Sequence, residues 1–228
     1  MLRYNFYNKI IILMCFNLFK FMSYDKQSLI PVLEVKEGFD KSAHNYKQYR
    51  TLLNSVDNNR FLRFLPRELR WLNILDLWAG DGRIFEHIKN TEYNEYIALD
   101  ISQKMLNRFQ SHSITKICSD CEEDFPIESE SIDLVLVFFV IEYIADIEHF
   151  FNEISRILRT WWKCIASYSY QRHAFVFWHG EESFKIERFS HRYDQIEAAA
   201  ENAFLSIDSL PLPNGGKNVW YIYEFKKG

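Results

Sequence analysis

The sequence predicts a doubly wound α/β fold, in which a mostly parallel sheet of seven strands carries an antiparallel hairpin strand from the C-terminal region. Three observations carry this. From about residue 66, strand-like and helix-like segments alternate, the order that builds parallel sheets from β-α units. Ile132 to Val140 is an almost unbroken apolar run, as expected for a central parallel strand covered on both faces. The connection Pro211 to Asn218 is too short for a crossover helix, so the strands it joins are antiparallel.

Each element has its own signal. Asn73 to Leu77 is a short apolar strand ending in the small-residue turn Ala79-Gly80-Asp81-Gly82, and Arg83 to Lys89 reads as a helix. Tyr96 to Leu99 is the next strand, ended by Asp100. Ser102 is placed to cap a helix with Met105, Leu106 and Phe109 at helical spacing. A third strand ends near Ser119-Asp120. After the central run, Phe150, Ile154, Ile157 and Leu158 share a helical face, and Cys164 to Tyr168 is a fifth strand. Arg192 to Phe204 reads as a helix, and Leu205–Leu210 and Val219–Phe225 complete the seven strands.

Bulk properties restrict the function. The 228 residues are 48% hydrophobic and 25% charged, an ordinary globular balance, and fit one domain with a substantial core. The net charge of -4 lacks the basic footprint of a dedicated nucleic-acid binder. Cys118-x-x-Cys121 has no second pair to complete a zinc site and follows a strand-type run, so it reads as two unrelated thiols in a reducing, cytoplasmic setting, and no metal is expected. Ile10 to Met22 is apolar but interrupted by Asn17 and Lys20, too short for the roughly 20 residues of a membrane span. No small-residue cleavage site follows it. The expectation is a start at Met22, with residues 1–21 an extension and 22–228 a single domain whose core covers about 66–225.

Ligands of such sheets bind beyond the carboxyl ends of the strands, where strand order reverses. Gly80 and Gly82 allow the backbone to approach a ligand closely. Asp100, 20 residues after Gly80, suits a carboxylate that accepts from both hydroxyls of a ribose. These features specify a nucleoside-containing cofactor. A dinucleotide fingerprint needs a third glycine where this chain has Phe85, which disfavours a nicotinamide-dependent oxidoreductase.

The stretch Ile74-Leu-Asp-Leu-Trp-Ala-Gly-Asp-Gly-Arg-Ile84 instead resembles the first motif of class I S-adenosylmethionine-dependent methyltransferases. Ala98-Leu-Asp-Ile-Ser-Gln-Lys-Met105 is similar to the second-strand motif of the type 11 methyltransferase family. Ser119-Asp-Cys-Glu-Glu-Asp-Phe-Pro126 is similar to its adenine-side segment, and Phe125 through Arg159 to its fourth strand and following helix. The resemblance implies a Rossmann-like sheet and S-adenosylmethionine as cofactor. It implies that Asp76 holds the methionine amino group and that Ala79, Gly80 and Gly82 line the turn. Asp100 takes the ribose hydroxyls, Ile101 packs on the adenine, Asp120 and the backbone of Cys121 bond its edge, and Phe138 lies near the sulfonium. Met105 joins this set, with a plain core position as the alternative.

The implied reaction is methyl transfer to a small-molecule acceptor, for which a general base is optional. His173, His179, Tyr143 and Glu142 fall in the acceptor region without forming a base pattern. Gln171 to Phe189, rich in rings including Phe175, is longer than usual connections and reads as a loop. With Asp40 to Arg50, which carries Tyr46 and Tyr49, it is expected to roof the acceptor site, placing Tyr46, Tyr143, His173 and Phe175 near the substrate.

The tryptophans depart from the family pattern. Trp78 stands in the first motif where a small residue is usual, and Trp161-Trp162 end the turn that usually closes with two glycines. Glycine is scarce, 7 residues in 228, about half the usual 7%. One explanation is a UGA codon read as Trp where the host inserts Gly; Trp71, Trp178 and Trp220 are then suspect too, although nothing local demands glycine there. The other is a methyltransferase-like binding module whose cofactor turn is blocked by Trp78.

Overall fold

The computed structural model describes residues 30–228 apart from 112, 170–174, 204 and 215–217. The expected extension at 1–21 and His173 lie outside the described residues. A short strand, Val32–Leu33 (β1), precedes helices Val35–Ser42 (α1) and Arg50–Asp57 (α2), which are joined by a 3-10 segment at Ala43–Tyr49. Then follow Asn73–Leu77 (β2), Phe85–Ile88 (α3), Glu95–Asp100 (β3), Gln103–Leu106 (α4), Thr115–Cys118 (β4) and Ile132–Phe138 (β5). Ile147–Ile157 (α5) runs directly into Leu158–Ser169 (β6). Val176–His179 (β7), Glu182–Ile186 (β8), Tyr193–Asn202 (α6), Leu205–Asn214 (β9) and Asn218–Lys227 (β10) complete the chain order.

Seven strands form the main sheet in the order β4-β3-β2-β5-β6-β10-β9. The pairs from β4 to β6 are parallel, and β10 is antiparallel to both β6 and β9. The doubly wound expectation therefore holds, with the antiparallel strand inserted one place inside the edge. Chain order reverses between β2 and β5, so the crevice for a ligand opens beyond the ends of those two strands.

Alternation along each strand explains the apolar runs. Leu75, Leu77, Val135 and Val137 face one layer, which is covered by α5 and α6 through Phe150, Ile154, Ile196 and Ala200. Ile74, Leu134, Leu136 and Phe138 face the other, covered by Phe61, Phe85, Ile88 and Leu106. Every residue of β5 is buried, so neither face of this strand can tolerate a run of polar side chains.

Some boundaries shift. The helix expected over Arg83 to Lys89 shortens to Phe85–Ile88, because the turn before it uses positive φ at Gly82. Phe109 lies beyond the end of α4, though buried as expected, and Leu158 opens β6 instead of ending α5. Ser102 does cap α4: the Met105 N–H donates to its Oγ at 3.1 Å.

The expected loop at 171–189 is the main correction. Residues 176–186 form a β-hairpin, and β1 pairs in parallel with β8 to make a second sheet of order β1-β8-β7. The turn is Gly180-Glu181, with φ 61° at Gly180, which matches a type II′ hairpin with glycine at its first central position. Rings on this sheet pack on α1 and the 3-10 segment, around Phe39, Ala43, Phe177 and Phe184.

Candidate functional site

The site is built on the turn after β2. Its φ angles are positive at Trp78 (56°), Gly80 (58°) and Gly82 (89°), an alternation that turns backbone N–H groups toward a common concavity. Asp100, at the end of β3, pins this turn. Its Oδ2 accepts from the Gly80 N–H at 2.8 Å and its Oδ1 from the Ser102 N–H at 2.8 Å. Each carboxylate oxygen has two acceptor positions, so one remains on each. Asp76 sits inside β2, 2% exposed, and its Oδ2 accepts from the Tyr96 hydroxyl at 2.6 Å.

Two cavities lie beyond the strand ends. One, of about 20 Å³, is lined by Asp76, Ala79, Gly80, Arg83, Phe138 and Tyr46 among others. The second, of about 180 Å³, is lined by Ile101, Asp120, Glu122, Tyr143 and Phe189 among others. Trp78 lines both. Its indole stacks on the Tyr143 ring at 5.6 Å and meets Phe39 edge-on at 5.2 Å.

The structure thus gathers Asp76, Ala79, Gly80, Phe138 and Tyr46 at one end and Ile101, Asp120 and Tyr143 at the other. Other expected residues line neither cavity. Gly82 turns toward Phe109, where an added Cβ would come within 3.0 Å of the ring. Asp100 lies beneath the turn, and Cys121 is fully buried in the core beside α5. Met105 is 1% exposed and packs with Phe39 and Tyr143, so it takes the core alternative. Phe175 packs against Tyr49 and Phe177, at 5.4 and 4.9 Å, in the roof. Phe138 and Phe139 both line the smaller cavity, although alternation along a strand allows only one to face it; φ 61° at Phe139 breaks the alternation there.

The two segments expected to roof the acceptor site are in contact with each other. Tyr49, on the 3-10 segment, accepts from the Trp178 N–H of β7 at 2.9 Å, which ties the lead-in segment to the hairpin. Cys118 is exposed and Cys121 buried, both as free thiols. Among the described residues no group of three or more His, Cys, Asp and Glu side chains is arranged to hold a metal ion. Nor is any helix among them long and apolar enough to cross a membrane.

Sequence reasoning missed Arg83 and Arg50. Arg83 is buried, donating from Nη1 to Asp57 Oδ2 at 2.9 Å and to Asn54 Oδ1 at 3.1 Å. It lies over the rings of Phe139 and Phe138, at 5.0 and 5.8 Å. Arg50 Nε donates to both oxygens of Asp81 at 2.9 Å, and its Nη2 to the Asp81 carbonyl at 2.6 Å. The two arginines clamp the turn to α2. Their charge amid acidic neighbours is a signal only once the helix is placed.

Burial pushes both Asp76 and Asp100 up to about 7, in Asp100 against the two backbone hydrogen bonds that favour the charged form. Such groups bind protons in the folded chain that the unfolded chain has already released. Their contribution to stability is therefore full below about pH 4 and is lost as pH rises through 7. Thermal denaturation is expected to show a fall in Tm between pH 5 and 7.5 that Asp100→Asn reduces. An identical slope in the variant would refute the assignment.

A mostly parallel sheet of this order, with an acid-pinned glycine turn at its switch point, is a doubly wound α/β fold of the Rossmann-like type. Residues 75–161 match the family described as a methyltransferase domain. A solved S-adenosylmethionine dependent methyltransferase from Mesorhizobium loti superposes with a TM-score of 0.63 at 16% identity, covering 77% of this chain and 100% of that one. Two curated relatives also align. One is the "Biotin biosynthesis bifunctional protein BioHC" of Cellvibrio japonicus, 31% identical over 128 residues, or 55% of this chain and 25% of that protein. The other is a malonyl-[acyl-carrier protein] O-methyltransferase of Methylovorus sp., 27% identical over 143 residues, or 58% of this chain and 48% of that protein. The matched part spans less than half the length of these two relatives.

Proposed function

We propose that this chain binds S-adenosylmethionine across the crevice beyond β2, β3 and β5 and transfers its methyl group to a small-molecule acceptor. The observation that carries the reading is the Asp100-pinned turn at the switch point, flanked by Asp76 on one side and by Ile101 and Asp120 on the other. The cofactor, when bound, supplies an electrophilic methyl group. The chain supplies Asp76 as acceptor for an ammonium group and the two remaining acceptor positions of Asp100 for ribose hydroxyls. Ile101 offers an apolar surface for a base, with Asp120 and the Cys121 backbone at the base edge. The Tyr143 ring, with Val35 and Phe189 beside it in the larger cavity, favours an apolar or planar acceptor. A nicotinamide is disfavoured, since Phe85 is packed on Tyr96 and Phe109 at 4.9 and 5.3 Å.

The polar groups suit the cofactor, but the room does not. Ligand sites of this kind occupy about 300–1,000 Å³, and the two cavities hold about 20 and 180 Å³ on either side of Trp78. That indole favours a second reading, a methyltransferase-like binding module without catalysis. Calorimetric titration of S-adenosylhomocysteine into the chain and into Trp78→Gly tests both. Binding by the glycine form supports the methyltransferase reading; no heat from either, with both folded, overturns the cofactor assignment.

A further inference from the structure

Three of the six tryptophans adopt the left-handed backbone: Trp71 at φ 73°, Trp78 at φ 56° and Trp161 at φ 71°. In that region the Cβ of an L-residue crowds the neighbouring carbonyl. A few per cent of non-glycine residues occur there, mostly Asn and Asp, and for a bulky side chain it is an outlier. Among the described residues the other non-glycine examples are Asn58, Asn59, Glu130 and Phe139.

Each of the three positions demands glycine through its own geometry. Trp71 is the third residue of a turn closed by the Leu72 N–H donating to the Leu69 carbonyl at 3.0 Å. Positive φ at that place alone is the type II turn, which takes glycine there. Trp161 lies in an excursion of β6. Leu158 pairs with Ile132, yet the next partner of the strand, Leu134, faces Lys163, so residues 159–162 loop out. Trp78 opens the alternation that Gly80 and Gly82 continue.

Nothing offsets the strain at two of them, for Trp71 is 77% and Trp161 83% exposed. The remaining tryptophans whose side chains are described behave differently. Trp162 is partly buried against both core layers, and neither it nor Trp178 has positive φ. The structure therefore gives Trp71 a local backbone demand for glycine and relieves Trp162 of any.

We infer that positions 71, 78 and 161 are glycine positions, encoded by UGA and filled with glycine in the working protein. At position 78 the change removes an indole that lines both cavities and opens room between Asp76 and Asp120. That consequence rests on the cofactor reading above; the backbone inference at 71 and 161 does not.

The codons and the protein itself test it. UGA at 71, 78 and 161, with glycine in the corresponding peptides of protein isolated from its own host, is the expected result; UGG at these positions overturns it. For chains made as written, Trp71→Gly and Trp161→Gly are each expected to raise Tm by about 2–8 °C, the shift that relief of one left-handed bulky residue gives in a domain of this size. Trp162→Gly is expected to lower Tm, because it removes packing. Trp78→Gly is expected to raise S-adenosylhomocysteine affinity at least about 100-fold, the effect of regaining a buried site. A rise in Tm at 71 and 161 with no ligand binding by any form upholds the glycine assignment and discards the cofactor reading. Equal binding by the chain with Trp78 and by Trp78→Gly overturns the assignment at 78 and keeps the cofactor. Unchanged or lower Tm at both 71 and 161 overturns the backbone inference.

Discussion

In the Trp78→Gly chain, Asp100→Ala is expected to weaken S-adenosylhomocysteine binding by about 10²–10⁴-fold. Two hydrogen bonds from ribose hydroxyls to a carboxylate are each worth roughly 1.5–3 kcal/mol, which converts to that range at about 1.4 kcal/mol per tenfold. The substitution also frees the Gly80 and Ser102 N–H groups that Asp100 accepts at 2.8 Å, so the turn loses its anchor. Asp100→Asn keeps the shape and one acceptor oxygen, and is expected to fall between the two. Titration calorimetry at pH 8, above the raised pKa of about 7, measures the difference with the carboxylate ionised. Affinity unchanged in Asp100→Ala would remove this residue from the site.

The largest effect on stability is expected from Asp57→Ala. Asp57 is 1% and Arg83 7% exposed, and the guanidinium is surrounded by Phe61, Phe138 and Phe139. Removing one partner of a buried pair strands the other charge, at a cost of about 3–5 kcal/mol. At roughly 2–4 °C per kcal/mol for a chain of this size, Tm falls by about 6–20 °C. The double variant Asp57→Leu with Arg83→Met removes both charges and is expected to recover much of the loss. A fall under about 2 °C in Asp57→Ala would show that Arg83 is held by its neighbours alone.

The parallel strands were legible because both faces of the sheet are covered, which turns burial into contiguous apolar runs such as Ile132–Phe138. Asp76, Gly80, Ile101 and Asp120 line the two cavities, a placement legible because the switch point and the resembled motifs converge on them. The hairpin at 176–186 was not, since its rings point into a roof made with residues 32–49, far away in the chain. One local signal was available: Gly180-Glu181 between ring-bearing segments is a type II′ turn pattern. Arg83 and Arg50 were illegible because their partners Asp57 and Asp81 become neighbours only when α2 docks on the turn. Tyr96, read only as a strand residue, holds the Asp76 carboxylate for the same reason: adjacent strands bring them together.

The place of β10 bears on how the chain is made. It is the last of the seven strands to leave the ribosome, yet it lies between β6 and β9. Its Ile222, Tyr223 and Phe225 are fully buried. Until it emerges, β6 offers an unpaired apolar edge and β9 has no neighbour in the sheet. Domains usually begin to fold from the N-terminal side during synthesis, and exposed strand edges invite aggregation. A nascent chain of this topology therefore carries an open β6 edge from the time residues 158–169 emerge until residues 218–227 follow, an interval in which that edge is a template for pairing with another chain.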